Sequence, residues 1–425
     1  MPNIVALILA GGRVDELSVL TSDRPKSAVP FAGLYRVIDF ALSNLMHSRI
    51  GRVGILSQYR SASLITHIGT GQSWDMVGRH RRVTLLPPSS GHKNWDWYRG
   101  TADAVTQNME FIMDNEPDLV LILSGDHIYQ MDYQELVDFH LEQNAEVTVG
   151  FVQVPRREAH RFGLGRIEKK RGQPGGRLLE YWEKPDQPSS SWASLTIYLF
   201  RPQVLFEILR QSTAERPLLE FGRDILPGLP GSYRVFGYSF SGYWGYTRTL
   251  DEYWRTHMEL LTPRSKLRLQ DWQIRTNLDH ERIAERQPVR VMPGAGLEQV
   301  LLAPGCEIYG RVRRSVLFPG VVVEKGAEVE DSILFFDTVV EAGARLRKVI
   351  SDKRVTFGEE SRVGWGAPLV PNRLDPRLLS SGLTVVGHNT YIPAGTRVGA
   401  NCILYPHLDK KSFQNGDLAS GEVLQ

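Results

Sequence analysis

The run Val386-Gly387-His388-Asn389-Thr390-Tyr391-Ile392-Pro393-Ala394-Gly395-Thr396-Arg397-Val398-Gly399-Ala400-Asn401-Cys402-Ile403-Leu404 decides the C-terminal fold. Its aliphatic residues Val386, Ile392, Val398 and Leu404 return at every sixth position. Ordinary β-structure with chance spacing is the structural alternative. A six-residue period punctuated by glycine and proline is the signature of a left-handed parallel β-helix, each repeat forming one face of a triangular coil. Upstream, Val323 and Val329 keep the same spacing, as do Ile333 and Val339, with Gly320, Gly326, Gly343, Gly358, Pro393, Gly395 and Gly399 near the expected turns. Residues 365–383, with several prolines and Ser380-Ser381-Gly382, read as a loop inserted between coils. The β-helix is therefore expected over 301–425, after a polar, irregular linker at 262–300.

Residues 1–261 carry a different pattern. Short apolar runs at Ile4–Leu9, Arg52–Leu56, Leu119–Leu123 and Val147–Val154 suit strands buried on both faces of a parallel sheet. Helical stretches alternate with them. Thr101 is a candidate N-cap for 102–115, whose Ala104, Val105, Met109, Ile112 and Met113 share one face. In 132–144, Leu136, Val137 and His140 do the same. Strand–helix alternation predicts a doubly wound, Rossmann-like α/β domain, whose ligands sit at the carboxyl ends of the strands.

Composition narrows the function classes. The 425 residues divide into two or three domains of ordinary size, and Lys+Arg 50 against Asp+Glu 48 gives a formal net charge of +2. That balance argues against a nucleic-acid or membrane-surface partner held by charge. With only Cys306 and Cys402 there is no disulfide framework, and a reducing, cytoplasmic setting is expected. The apolar start at Ile4–Leu9 is too short to span a bilayer.

Candidate chemistry sits where the fold would place it. Ala10, Gly11 and Gly12 follow the first strand, where glycines let backbone N–H groups approach phosphate. Asp126 ends the Leu119–Leu123 strand, a good position for a carboxylate that holds a divalent cation. Glu183-Lys184-Pro185 pairs a carboxylate for sugar hydroxyls with an ammonium for an anion. Trp97-Tyr98-Arg99-Gly100-Thr101-Ala102-Asp103 places polar and aromatic groups at a helix N-terminus, a general anion site. A tight turn, a capping Asp, a surface ion pair and plain helix capping are the respective structural alternatives.

Taken together with Tyr35-Arg36-Val37-Ile38-Asp39-Phe40-Ala41-Leu42-Ser43-Asn44, Gly125-Asp126-His127-Ile128-Tyr129 and Phe221-Gly222-Arg223-Asp224, these stretches resemble the ADP-glucose pyrophosphorylase (glucose-1-phosphate adenylyltransferase) family of bacterial glycogen synthesis. The resemblance covers nearly all of 4–365. It implies a nucleotidyltransferase domain followed by a β-helix, and transfer of adenylate from ATP to glucose 1-phosphate, giving ADP-glucose and pyrophosphate. It further implies a sugar-phosphate pocket of Tyr98, Gly163, Glu183, Lys184 and Ser194, nucleotide contacts at Ala10, Gly11 and Gly12, Lys26 and Asp126 as catalytic residues, Asp126 as a Mg²⁺ ligand, and a tetramer.

Departures from the family pattern collect on the nucleotide side. After Gly11-Gly12-Arg13 the family has Gly-Thr-Arg, and this chain has Val14-Asp15-Glu16. Val resists the curl a glycine allows. Glu16 reverses the charge of an arginine, and losing one such stabiliser costs roughly 3–4 kcal/mol in barrier. In Trp244-Gly245-Tyr246-Thr247-Arg248-Thr249, Tyr246 replaces the family's second metal-binding aspartate, so a weakened Mg²⁺ site is expected; Asp251, five residues on, is expected to face along the next helix. Leu85-Leu86-Pro87-Pro88-Ser89-Ser90 lacks the glutamine pair that reads adenine. Leu34 replaces an activator-site lysine. These changes point to a weakly active or non-catalytic regulatory subunit, in a homo- or hetero-tetramer with an active paralogue. Two alternatives stay open: a working adenylyltransferase with rearranged ATP contacts, using Arg13, Lys26 and Asp251, or a nucleotidyltransferase for another nucleotide or sugar phosphate.

Overall fold

The computed structural model describes every residue except 1, 13, 89–96, 170–171, 264, 368–369 and 415. Arg13, Ser89 and Ser90, singled out above, lie outside the described residues. By internal contacts the chain divides into two compact units, Met1–Gly12 with Ile38–Trp244, and Arg13–Val37 with Gly245–Gln425.

The first unit is built on a nine-stranded mixed sheet. Its strands are β1 (Ile4–Leu9), β2 (Arg52–Leu56), β3 (Arg82–Leu86), β4 (Leu119–Ser124), β5 (Val147–Gln153), β6 (Gly163–Lys169), β7 (Gly175–Glu183), β8 (Trp192–Phe200) and β9 (Val235–Phe240), in the order β3-β2-β1-β4-β8-β5-β9-β7-β6. From β3 to β4 all neighbours are parallel. β1 and β4 are almost wholly buried, which is why both read as unbroken apolar runs. The expectation of a parallel strand at 147–154 holds on one side only: β5 runs parallel to β9 and antiparallel to β8.

Helix α1 (Ile38–His47) belongs to this unit, as do α2 (Thr101–Gln107), α3 (Met109–Asp114) and α4 (Tyr133–Glu142). The single helix expected over 102–115 is thus broken in two at Asn108. The Asn108 amide donates to the Ala104 carbonyl and to the Tyr98 hydroxyl, and this local side-chain bonding competes with the helical ladder. Met113 consequently lies exposed, not on the buried face. Helix α4 matches its sequence reading: Asp132 caps it by accepting from the Gln134 N–H, and Leu136, Val137 and His140 are buried.

The second unit holds the left-handed parallel β-helix, three sheets of short parallel strands stacked coil on coil. Val386, Ile392, Val398 and Leu404 all point inward, none more than 1 % exposed. Upstream the phase slips. Val329, Leu334, Val340 and Leu346 are the inward residues, and Val339 is half-buried. The strand register explains this, because Val322 stacks on Val339 and Val339 on Thr356, so a coil is one residue short of three full hexapeptides. Gly326 takes a corner at φ +79°, where a side chain would be strained. Coil strands begin at Arg290–Val291 and Gly296–Glu298, within the stretch that reads as linker; short coil strands carry too few apolar residues there to show a period. No strand occurs among the described residues of 365–383.

Helix α5 (Leu250–Leu260) and the segment 13–37 belong to this second unit. Tyr253 donates its hydroxyl to the Pro30 carbonyl, and the Ala32 N–H donates to His257 Nε2 at 3.0 Å. Arg24 meets Asp352 with two hydrogen bonds of 3.0 Å, both side chains buried. Among the described residues no helix is long and apolar enough to cross a membrane.

Candidate functional site

In the first unit the ends of β6, β7 and β8 bring Gly163, Glu183, Lys184 and Ser194 together. Gly163 faces Glu183 in the β6–β7 register. A Cβ at 163 would fall 1.9 Å from the Tyr181 hydroxyl and 2.7 Å from a Glu183 carboxylate oxygen, so only glycine permits this arrangement. Gly222 closes the other side, its absent Cβ 2.4 Å from Glu183 Oε2. Lys184 follows the strand at φ +44°. In regular strand, successive side chains point to opposite faces. The turn at Lys184 breaks that alternation and sets its ammonium 3.8 Å from Glu183 Oε1, both groups partly exposed.

Tyr181, which the sequence reading did not single out, is the hub of this cluster. Its hydroxyl donates to Glu183 Oε2 at 3.1 Å and is hydrogen-bonded to Ser194. Burial first, then the neighbouring Tyr198 and Glu183, raise its pKa well above the ordinary phenol range, so it stays a neutral donor. Ser194 precedes an irregularity in the β8–β5 register, which turns its hydroxyl toward Tyr181 and Tyr198. Gly222 belongs to the Phe221-Gly222-Arg223-Asp224 stretch quoted above, whereas Tyr181 lies in no quoted stretch and stands two residues before Glu183 on the same strand.

Tyr98 is placed differently. Its backbone is bracketed by the Gln58 amide, which accepts from the Tyr98 N–H at 2.5 Å and donates to its carbonyl at 3.1 Å. Its hydroxyl donates to the Leu86 carbonyl at 2.8 Å and accepts from Asn108 at 2.9 Å. Burial pushes this phenol up to about 12. Tyr98 shares an apolar cluster with Tyr181, Tyr198 and Phe221. The N-terminus of α2, expected to offer amides to an anion, is already filled. The Ala102 and Asp103 N–H groups donate to the Leu219 carbonyl at 2.8 and 3.2 Å, and Glu220 accepts from Thr101.

Ala10, Gly11 and Gly12 follow β1 beside the end of β4. The Ala10 N–H donates to the Leu56 carbonyl at 2.9 Å and the Gly125 N–H to Leu9 at 3.0 Å. A Cβ at Gly11 would stand 3.0 Å from the Gln58 nitrogen, whereas the space at Gly12 is open. Asp126 is partly exposed at the end of β4; it accepts a hydrogen bond from Ser124, and His127 Nε2 lies 3.3 Å away. Among the described residues no three His, Cys, Asp or Glu side chains gather as a metal site. A single carboxylate suits Mg²⁺ only when substrate phosphates supply further oxygens, which is a common arrangement for that ion.

The second unit carries the altered positions 14–16, 34 and 246, while the 85–88 stretch lies in the first. Val14 is extended (φ −124°, ψ 102°) and accepts from the Thr21 hydroxyl at 2.6 Å. Val14 thus does not take the curl that the sequence reading expected it to resist, and a positive φ falls instead on Ser18 at 50°. Glu16 pairs with Arg248, Oε1 to Nε 2.7 Å. Lys26 is buried, its ammonium 5.4 Å from the centre of the Tyr246 ring. Asp251 stands in the first turn of α5.

These features can be set beside known proteins. The family model described as "Nucleotidyl transferase" matches residues 5–262, and one described as "GlmU-like, C-terminal hexapeptide" matches 293–373. Proteins named glucose-1-phosphate adenylyltransferase match along the whole length. That of Thermomicrobium roseum is 41 % identical, over 100 % of this chain and 98 % of its own. This chain belongs to the glucose-1-phosphate adenylyltransferase family. The proteins of Thermotoga maritima (40 %, over 100 % of this chain and 99 % of its own) and Acetivibrio thermocellus (38 %, 99 % and 97 %) are similar to the same extent. Within the family, the match spans both the mixed sheet and the coils.

Proposed function

We propose that this chain binds glucose 1-phosphate through Gly163, Glu183, Lys184 and Ser194, with Tyr98 shaping the pocket, and acts in glycogen synthesis as a weakly active or regulatory subunit beside an active paralogue in a tetramer. The observation that carries this reading is an imbalance. Glu183 and Ser194 come together around Tyr181 with their hydrogen bonds made, whereas Lys26 is held against Tyr246 and no three His, Cys, Asp or Glu side chains gather as a metal site among the described residues.

The reaction of the family explains the residue types. A phosphate oxygen of the sugar phosphate attacks the α-phosphorus of ATP, the bond from that phosphorus to the bridging oxygen breaks, and pyrophosphate leaves with the electron pair. Glu183 accepts sugar hydroxyls, and the Lys184 ammonium offsets the phosphate. Tyr181 keeps Glu183 in place, and the open backbone at Gly12 leaves room for phosphate. Lys26 would meet the triphosphate. Bound Mg²⁺, held by Asp126, would neutralise charge on the phosphates.

The reading of a working enzyme with rearranged ATP contacts has its own support in the Glu16–Arg248 pair, which neutralises the acidic residue that otherwise argues against ATP. Pyrophosphate release from ATP, Mg²⁺ and glucose 1-phosphate, measured alone and with a catalytic paralogue, separates the two. An ordinary enzymatic rate from the pure chain overturns the regulatory reading; a rate that appears or changes its activator response only with the paralogue supports it.

A further inference from the structure

Glu16 and Tyr246 look like unrelated changes along the chain, yet in the second unit both touch Arg248. Thr249 caps α5 in a capping box with Glu252, and the same Glu252 carboxylate accepts from the Arg248 N–H at 3.2 Å. The Arg248 backbone is thereby anchored to a helix end. Its guanidinium reaches back to Glu16 at 2.7 Å and also donates a hydrogen bond to Tyr246. Burial alone would lower the Arg248 pKa, but Tyr246 and Glu16 outweigh it and hold the guanidinium more firmly charged than usual. The Tyr246 ring in turn lies under the Lys26 ammonium, within the range of a cation–π contact. Glu16 and Lys26 are ten residues apart, in two successive 3₁₀ turns, Asp15–Thr21 and Lys26–Ala28. The two ends of this stretch are thus clamped onto residues only two apart. Between the clamps, the fully buried Thr247 hydroxyl has no hydrogen-bond partner among the described residues, an unusual cost for a native structure.

We propose that Arg248 is a positioning residue: acting through Tyr246 and Glu16, it latches the 15–28 stretch and holds the Lys26 ammonium on the Tyr246 ring, out of reach of phosphate until the latch opens. The geometry stands by itself; only the task of Lys26 toward ATP rests on the function proposed above. Glu16 in this arrangement is half of a closed ion pair and not a charge waiting to repel a nucleotide. With Lys26 and Arg248 against Glu16, the latch carries a surplus of one positive charge.

The test reads Lys26 directly. Limited acetylation of the full chain with an N-hydroxysuccinimide ester, followed by peptide mass spectrometry, gives the labelling rate of Lys26 relative to the exposed Lys410 and Lys411. Arg248→Ala should speed Lys26 labelling about thirtyfold, the equivalent of the roughly 2 kcal/mol of a desolvated cation–π contact. Tyr246→Phe keeps the ring but removes the hydroxyl that receives Arg248, and should give part of the same increase. The double exchange Glu16→Arg with Arg248→Glu should restore protection, since the ion pair and a hydrogen bond to Tyr246 can both re-form. Unchanged labelling in a folded Arg248→Ala protein overturns the latch, and so does an increase in Arg248→Ala with none in Tyr246→Phe. Pyrophosphate release by the same proteins is scored separately. Exposed Lys26 with no gain of activity in any variant leaves the latch standing and counts only against the task of Lys26 toward ATP; protected Lys26 in every variant sinks the latch whatever the activity.

Discussion

The sugar-phosphate cluster of the first unit and the 13–37 segment of the second unit solve the problem of holding charge in opposite ways. In the first, Glu183 is pinned by short-range strand geometry: two glycines at its sides, a left-handed turn at Lys184 and one hydrogen bond from Tyr181. Its partners lie on its own strand, on the neighbouring strand at Gly163 and in the turn at Gly222, and the Glu183 carboxylate and Lys184 ammonium remain partly exposed. In the second, Glu16 and Lys26 are closed onto residues more than two hundred positions away, Glu16 onto the Arg248 guanidinium and Lys26 onto the Tyr246 ring. A preorganised site keeps its charges available, whereas a latch spends them internally. The difference teaches that a count of surviving family residues says less about activity than where each charge finds its partner.

The two units can be set against each other first by acid. His140 in the first unit and His257 in the second are both held near pKa 4, chiefly by burial. A histidine whose folded pKa lies below its unfolded value binds its proton more readily when unfolded. Stability should then fall as pH drops from about 6.5 to 4, by up to about 3 kcal/mol for a fully buried ring. Denaturant melts at pH 7 and pH 4.5 check this. His257→Phe should remove the acid sensitivity of the second unit and leave that of the first; equal loss in both units would break the assignment.

Next in size is the carboxylate of the sugar side. Glu183→Ala should weaken glucose 1-phosphate binding about a hundredfold by calorimetry, from loss of charged hydrogen bonds, with ATP binding unchanged. Parallel losses for both ligands would show that the two regions do not divide the substrates as proposed. Tyr181→Phe is a smaller change on the same side. Removing one hydrogen bond to Glu183 should weaken sugar-phosphate binding roughly tenfold with the fold intact. The smallest effect is expected in the latch. Glu16→Arg sets two guanidinium groups together and should cost about 1 kcal/mol of stability, modest because the pair is partly exposed. Adding Arg248→Glu should return most of that loss, and a double exchange no better than the single one would deny the coupling.

How far the fold was legible follows from where each signal originates. Strands β1 and β2 were readable to the residue because a strand covered on both faces must be apolar along its length. The coil period was readable near 386–404, but its phase failed at Val339, because a coil one residue short of three hexapeptides shifts the inward position without disturbing the composition. The break at Asn108 was hidden, since the competing bond runs to Tyr98 as well as to its own helix. In the candidate site, Glu183, Lys184 and Asp126 stand at strand ends and could be named from sequence. Tyr181 and Gln58 could not, because a tyrosine or glutamine becomes a positioning group only when pairing brings a partner to it.

The sequence by itself therefore determined the kind of protein: an α/β nucleotidyltransferase domain joined to a hexapeptide coil, with the residues of the proposed sugar-phosphate pocket in order. Those features arise from local periodicity and from motifs contiguous along the chain. Only the tertiary structure decided what the substitutions at 14, 16, 246 and 248 amount to. Val14 turned out extended, and Glu16 found Arg248, a partner 232 residues away. An ion pair has no sequence period, and its energy depends on a distance that exists only once the chain has folded.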